Sequence, residues 1–164
     1  MSEYVATVRW ERNDHAFVDN RYSRVHRWEF DGGITVTASP STHIVREPFA
    51  DAHAVDPEEA YVVSLSSCHM LMFLSIAAKR GFVIDSYVDE AVGTLEKRAD
   101  GMLWMSRVTL RPAITVSGTK RPTSDEVAAM HDEAHHECFI ANSVKTAVEC
   151  VPTLATATVT TGAS

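Results

Sequence analysis

The spacing of apolar positions changes several times along this chain, and each change marks an element. Tyr4, Ala6, Val8 and Trp10 alternate with polar neighbours, the period of a strand with one covered face. Tyr22 to Phe30 is a second β-rich run, followed by Asp31-Gly32-Gly33 and then Ile34-Thr35-Val36. Glycine tolerates the positive φ of a tight turn, so FDGGITV predicts a hairpin and the first third an antiparallel meander. From 39 to 56 no period is sustained, and SPSTHIVREPFADAHAVD reads as a long connection of the kind that often lines functional sites.

Asp56 then stands as an N-cap, with Pro57 at the first helical position and Glu58-Glu59 at the positive end of the helix dipole. The predicted helix runs to Arg80 and stops at Gly81. Between Tyr61 and Ala78 it is apolar on most faces, broken only by Ser64, Ser66, Ser67, Cys68, His69 and Ser75. A helix apolar nearly all round must be enclosed by sheet or by a second copy of itself.

Two strands are expected next, about 83 to 98 and 102 to 117, joined by Ala99-Asp100-Gly101. Thr123 and Glu126 have capping-box spacing, and Val127, Met130 and Ala134 carry a second helix to about Glu137, leaving Cys138 just beyond it. Thr146 to Thr160 reads as a last strand and 161 to 164 as a tail. The order is α+β, as a single domain over 1–164.

Composition adds exclusions. Hydrophobic residues at 45% and charged residues at 23% place the chain with globular proteins rather than disordered ones. The formal net charge is −7 and the basic residues are scattered, which argues against nucleic acid or an anionic membrane as partner. The start, MSEYVATVRWERND, lacks the basic and apolar regions of a secretion signal, and no stretch of about 18 uninterrupted apolar residues is present. The expected location is the cytoplasm. Cys68, Cys138 and Cys150 are too few for a secreted disulfide framework, so each is inert packing, a metal ligand or a redox group.

Cysteine is among the most buried residue types, and packing is the default reading of Cys68 in an apolar helix. The neighbouring His69 and the serines make a wetter environment than the rest of that helix. Cys138 lies beside His135, His136 and Glu137, which raises zinc. Adjacent histidines point in different directions and no second cysteine is close by, so no metal is expected. Pairing Cys68 with Cys138 gives a redox reading, in which a thiolate attacks a peroxide and a second thiol resolves the sulfenic acid. Spacing alone does not show that the two meet.

DPEEAYVVSLSSCHM in one helix, HHECFIANSVK near the C-terminus and the NRYSRVHRWEFDGG stretch together resemble the OsmC/Ohr family of organic-hydroperoxide-reducing proteins. The resemblance implies a meander and hairpin wrapped around a buried central helix in an intertwined homodimer. It implies Cys68 as the peroxidatic nucleophile and Cys138 as the resolving thiol, with no metal or organic cofactor. An arginine activates the sulfur in this family and a glutamate holds the arginine. Glu58 matches the glutamate; Arg24 is the first candidate for the arginine, Arg21 the second and Arg46 a poorer one. A permanently charged guanidinium, fixed by a carboxylate, suits that task.

Ten residues of straight helix rise about 15 Å, so Glu58 and Cys68 of one unbroken helix do not share a compact site. Either the helix breaks near the serines or Glu58 serves a partner subunit. The sequence departs from many relatives in carrying HECFIAN without a proline after Cys138, in a longer N-terminal meander and in His69.

The reading that follows is a cytoplasmic peroxidase that reduces organic or lipid hydroperoxides and is restored by a dithiol, such as a lipoylated protein. Met70, Leu71, Phe73 and Phe139 are the candidate lining of an apolar pocket, and Cys150 is a buried structural thiol. The alternative is a non-catalytic module of the same fold that binds an apolar small molecule at the dimer interface. A third reading is a His/Cys zinc protein.

Overall fold

The computed structural model describes residues 1–154, which form two compact units, Met1–Tyr61 and the chain from Val62 onward. The last part of the strand expected to reach Thr160, and the tail after it, lie outside the described residues.

The first unit is the predicted meander. β1 (Ala6–Arg9), β2 (His26–Phe30) and β3 (Thr35–Ala38) form an antiparallel sheet in the order β1-β2-β3. Trp28 faces Val8 on one side and Val36 on the other. The β2–β3 turn closes through the Gly33 N–H on the Phe30 carbonyl at 2.9 Å, with Gly33 at φ +84°, a conformation that the glycine allows. Before β2, Tyr22 stacks on Phe17 at 4.7 Å and meets Trp10 edge-on at 5.4 Å.

The long connection is held by local turns and by bonds back to β3. Val55 pairs with Ala38 in a parallel bridge, and the buried Ser39 hydroxyl accepts the Asp51 N–H at 2.8 Å. It ends in a reciprocal cap: Asp56 accepts the Glu59 N–H at 2.7 Å, and Glu59 accepts the Asp56 N–H at 3.1 Å.

α1 (Pro57–Lys79) starts there and runs on as the main helix of the second unit. Its end is a Schellman turn: the Phe82 N–H donates to the Ala77 carbonyl and the Gly81 N–H to that of Ala78, both at 3.0 Å, with Gly81 at φ +75°. By length and composition α1 could cross a membrane, with mean hydropathy 1.6. Leu65, His69, Phe73, Ile76 and Ala77 are nevertheless buried within the protein, the pattern of a core helix. Val63 and Leu71 remain 61% and 56% exposed in the single chain.

The two long strands expected after α1 are four. β4 (Val83–Asp89) and β5 (Val92–Lys97) precede the Asp-Gly turn; β6 (Leu103–Leu110) and β7 (Pro112–Ser117) follow it. β5 and β6 form the hairpin, whereas β4 pairs with β7 in a different sheet. The change of sheet falls at Glu90-Ala91 on one limb and Arg111 on the other. There Asp89 accepts the Arg111 N–H at 2.6 Å, and Pro112, which has no N–H for a ladder, opens β7.

α2 (Ser124–Glu137) has the predicted Thr123–Glu126 capping box. The expected last strand is two short pieces, β8 (Ala147–Cys150) and β9 (Thr153–Leu154), separated at Val151-Pro152. β8 lies parallel to β6, and β9 parallel to β7. The core is built by Phe73, Ile76 and Ala77 of α1, Ile114 and Val116 of β7, and Val127, Met130 and Ala134 of α2.

Candidate functional site

Cys68 sits midway along α1 and is partly exposed; Cys138 is the C-cap of α2 and is 1% exposed. Both thiols are free, and they are near enough for Cys68 to act on Cys138. Burial first, and the neighbouring Cys68 second, push the Cys138 thiol up to about 11, against an opposing pull from the Ala141 and Ile140 backbone. Cys138 is therefore protonated at neutral pH.

HECFIAN supplies the frame for Cys138. The Ala141 N–H donates to its Sγ at 3.4 Å. The Asn142 side-chain amide bonds the Cys138 carbonyl at 3.0 Å and the His136 carbonyl at 2.8 Å, and the Asn142 N–H donates to the Cys138 carbonyl at 3.0 Å. A 3₁₀ turn over Ala141–Ser143 follows. These bonds occupy carbonyls that the end of α2 leaves without helical partners.

Two residues before Cys68, the Ser66 hydroxyl donates to Asp89 at 2.5 Å. Asp89 thus ties α1 to the corner where the strands change sheet, using its other oxygen for Arg111.

The remaining expected residues lie as follows. α1 is continuous through Ser64, Ser66 and Ser67, so the helix does not break there, and Glu58 stays about 15 Å from Cys68 along its axis. Arg24 lies in the first unit, where its guanidinium stacks on Tyr22 at 4.2 Å and donates to the Tyr22 carbonyl at 3.0 Å and to Asn20 Oδ1 at 2.6 Å. Arg21 and Arg46 are exposed.

Phe73, a candidate for the pocket lining, belongs to the core. It is fully buried in the core and stacks on His131 at 4.1 Å, whereas Leu71, two residues earlier, faces away, and Phe139 is 73% exposed. Positions two apart on a helix point to different sides.

Cys150, expected as a buried packing thiol, is only partly buried and belongs to a cluster. Its Sγ lies 3.7 Å from His69 Nε2, which in turn lies 2.9 Å from His131 Nδ1, and the two imidazole planes are 4° apart. Both histidines are 1% exposed, and burial lowers His69 to about 4 and His131 to about 3, so both are neutral at pH 7. Burial, with Asp89 and Asp132 nearby, pushes Cys150 up to about 12. His131 was legible in part: it falls inside the Val127, Met130, Ala134 stripe and so had to face the core. His69, four residues after Leu65 and four before Phe73, is placed by the same rule.

The sequence matches the OsmC-like protein family over residues 50–152, and the chain belongs to that family. Among solved structures, an OsmC-like protein of unknown function from Vibrio cholerae is 51% identical, with a TM-score of 0.90 over 93% of this chain and 100% of that one. An OsmC-like protein from Mycoplasma pneumoniae is 14% identical, with a TM-score of 0.69 over 94% of this chain and 99% of that one. The organic hydroperoxide resistance protein OhrB of Bacillus subtilis is 16% identical, with a TM-score of 0.59 over 94% of this chain and 98% of that one. The last two share the fold. No curated protein matches the chain.

Proposed function

We propose that the chain is a cysteine-based peroxidase that reduces organic or lipid hydroperoxides to alcohols. The observation that carries this reading is the proximity of Cys138 to Cys68, through which Cys68 acts on the Cys138 thiol and which sets a protonated thiol beside a partly exposed one. Membership of a family that includes organic hydroperoxide resistance proteins supports it.

The Cys68 thiolate attacks the outer oxygen of ROOH. The O–O bond breaks, the alkoxide takes a proton and leaves as ROH, and Cys68 becomes a sulfenic acid. Cys138 then attacks the sulfenic sulfur, closing the Cys68–Cys138 disulfide and releasing water. A cytoplasmic dithiol, as on a lipoylated protein, reduces that disulfide by thiol exchange and is itself oxidised.

Arg24, oriented by Asn20 and Tyr22, is the cation assigned to the Cys68 sulfur, and Glu58 is the carboxylate assigned to that arginine. Because α1 is unbroken, Glu58 is assigned to the Cys68 of a partner subunit in a homodimer.

The test is consumption of cumene hydroperoxide by the purified chain with dihydrolipoamide as reductant. Turnover that disappears in Cys68→Ser supports the reading. Equal, near-zero consumption by both proteins contradicts it and favours the non-catalytic module that binds an apolar small molecule.

A further inference from the structure

We propose that His69, His131 and Cys150 form a second site, which binds one zinc-class divalent cation and clamps α1 to α2. The three side chains come from α1, α2 and β8, and their donor atoms lie within 4.8 Å of one another. Zinc bonds of about 2.0–2.1 Å to nitrogen and 2.3 Å to sulfur, at tetrahedral angles, set ligand atoms roughly 3.3–3.6 Å apart. The 3.7 Å between Cys150 Sγ and His69 Nε2 is close to that spacing, whereas the imidazole nitrogens, now in line at 2.9 Å, have to part and both rings to tilt as the cation enters.

Three further observations favour a cation here. The two facing nitrogens, which share only one hydrogen, are the ligand atoms, and a cation takes that hydrogen's place. At Cys150 the carboxylates of Asp89 and Asp132 favour positive charge, while at His69 the pull of Asp89 is outweighed by His135. Neutral imidazoles with a thiolate are the donor set that zinc takes, and three protein ligands leave its fourth position for water.

Binding forms a metal–sulfur bond at Cys150 and breaks its S–H bond, with the proton passing to solvent and no change of oxidation state. His69 and His131 lie on the two helices that carry Cys68 and Cys138, so the clamp steadies the spacing of that pair. The assignment does not depend on the peroxidase reading.

The experiment is titration of the chelator-treated, reduced full chain with Zn²⁺, and in parallel with Co²⁺, whose thiolate bond is visible in absorbance. The expected result is one equivalent bound with one proton released, a sulfur-to-cobalt band, and a rise in Tm with Zn²⁺. All three should be lost in Cys150→Ser and in His131→Gln, and kept in the double variant Cys68→Ser/Cys138→Ser. Cys150→Ser alters a partly exposed strand end, and its circular dichroism checks that it folds. The proposal is overturned if the native chain binds no stoichiometric metal. It is overturned equally if Cys150→Ser still binds while the double variant does not, which would place the metal on the other two cysteines.

Discussion

The thiol of Cys138, at the C-cap of α2, is kept protonated by burial and by its neighbour Cys68, in the middle of α1. Seventy positions of sequence separate the two, and the packing of α1 and α2 on β7 brings them together. Burial keeps Cys138 protonated whereas Cys68 is partly exposed, an asymmetry that supports the roles proposed for the two thiols.

Cys138→Ser removes the resolving thiol and leaves the attacking one. Treated with hydroperoxide, this variant should stop at a Cys68 sulfenic acid, trapped by dimedone at one equivalent per chain, and steady turnover with a dithiol should fall at least tenfold. Mass spectrometry of the trapped peptide checks the first outcome and the consumption assay the second.

The raised pKa of Cys138 gives a pH signature. Below about 11 its thiolate fraction rises tenfold per pH unit. Its alkylation rate in the folded chain should therefore climb from pH 7 to pH 10 with a slope near one on a logarithmic scale. Peptide-resolved labelling with iodoacetamide measures this, and a flat profile would mean that access, not protonation, limits the thiol.

Asn142→Ala should slow the closing of the disulfide several-fold while leaving the formation of the sulfenic acid unchanged. Its amide fixes the carbonyls of His136 and Cys138, so its loss frees the turn that aims Cys138. Stopped-flow kinetics of the two steps separates these effects.

Gly93→Ala should destabilise the second unit by about 1–3 kcal/mol through overpacking. A Cβ at Gly93 would lie 2.6 Å from Val62 Cγ2 and 2.8 Å from Met105 Sδ, and the branched Val62 has little room to move. Urea unfolding reads the loss, with the disulfide kept reduced.

Much of this fold is written in local chemistry. Asp56, Pro57 and Glu59 start α1, Gly81 stops it, and Thr123 with Glu126 opens α2, because caps and turns depend on residues a few positions apart. The break of each long strand into two was not legible. It depends on Asp89 reaching Arg111, 22 positions away, and on which sheet takes each half. The same limit applies to the site. Cys68 and Cys138 stand out as thiols in unusual company, but Cys150 looked like packing, because its partners His69 and His131 come from two distant helices.

The most direct test of the central claim is the intact mass of the reduced chain, alkylated before and after one equivalent of cumene hydroperoxide, with peptide mapping of any cross-link. The predicted result is the loss of two hydrogens, mapped to Cys68–Cys138 and absent in Cys68→Ser. If both cysteines remain fully alkylatable after treatment, the two thiols are not a redox pair and the peroxidase reading fails.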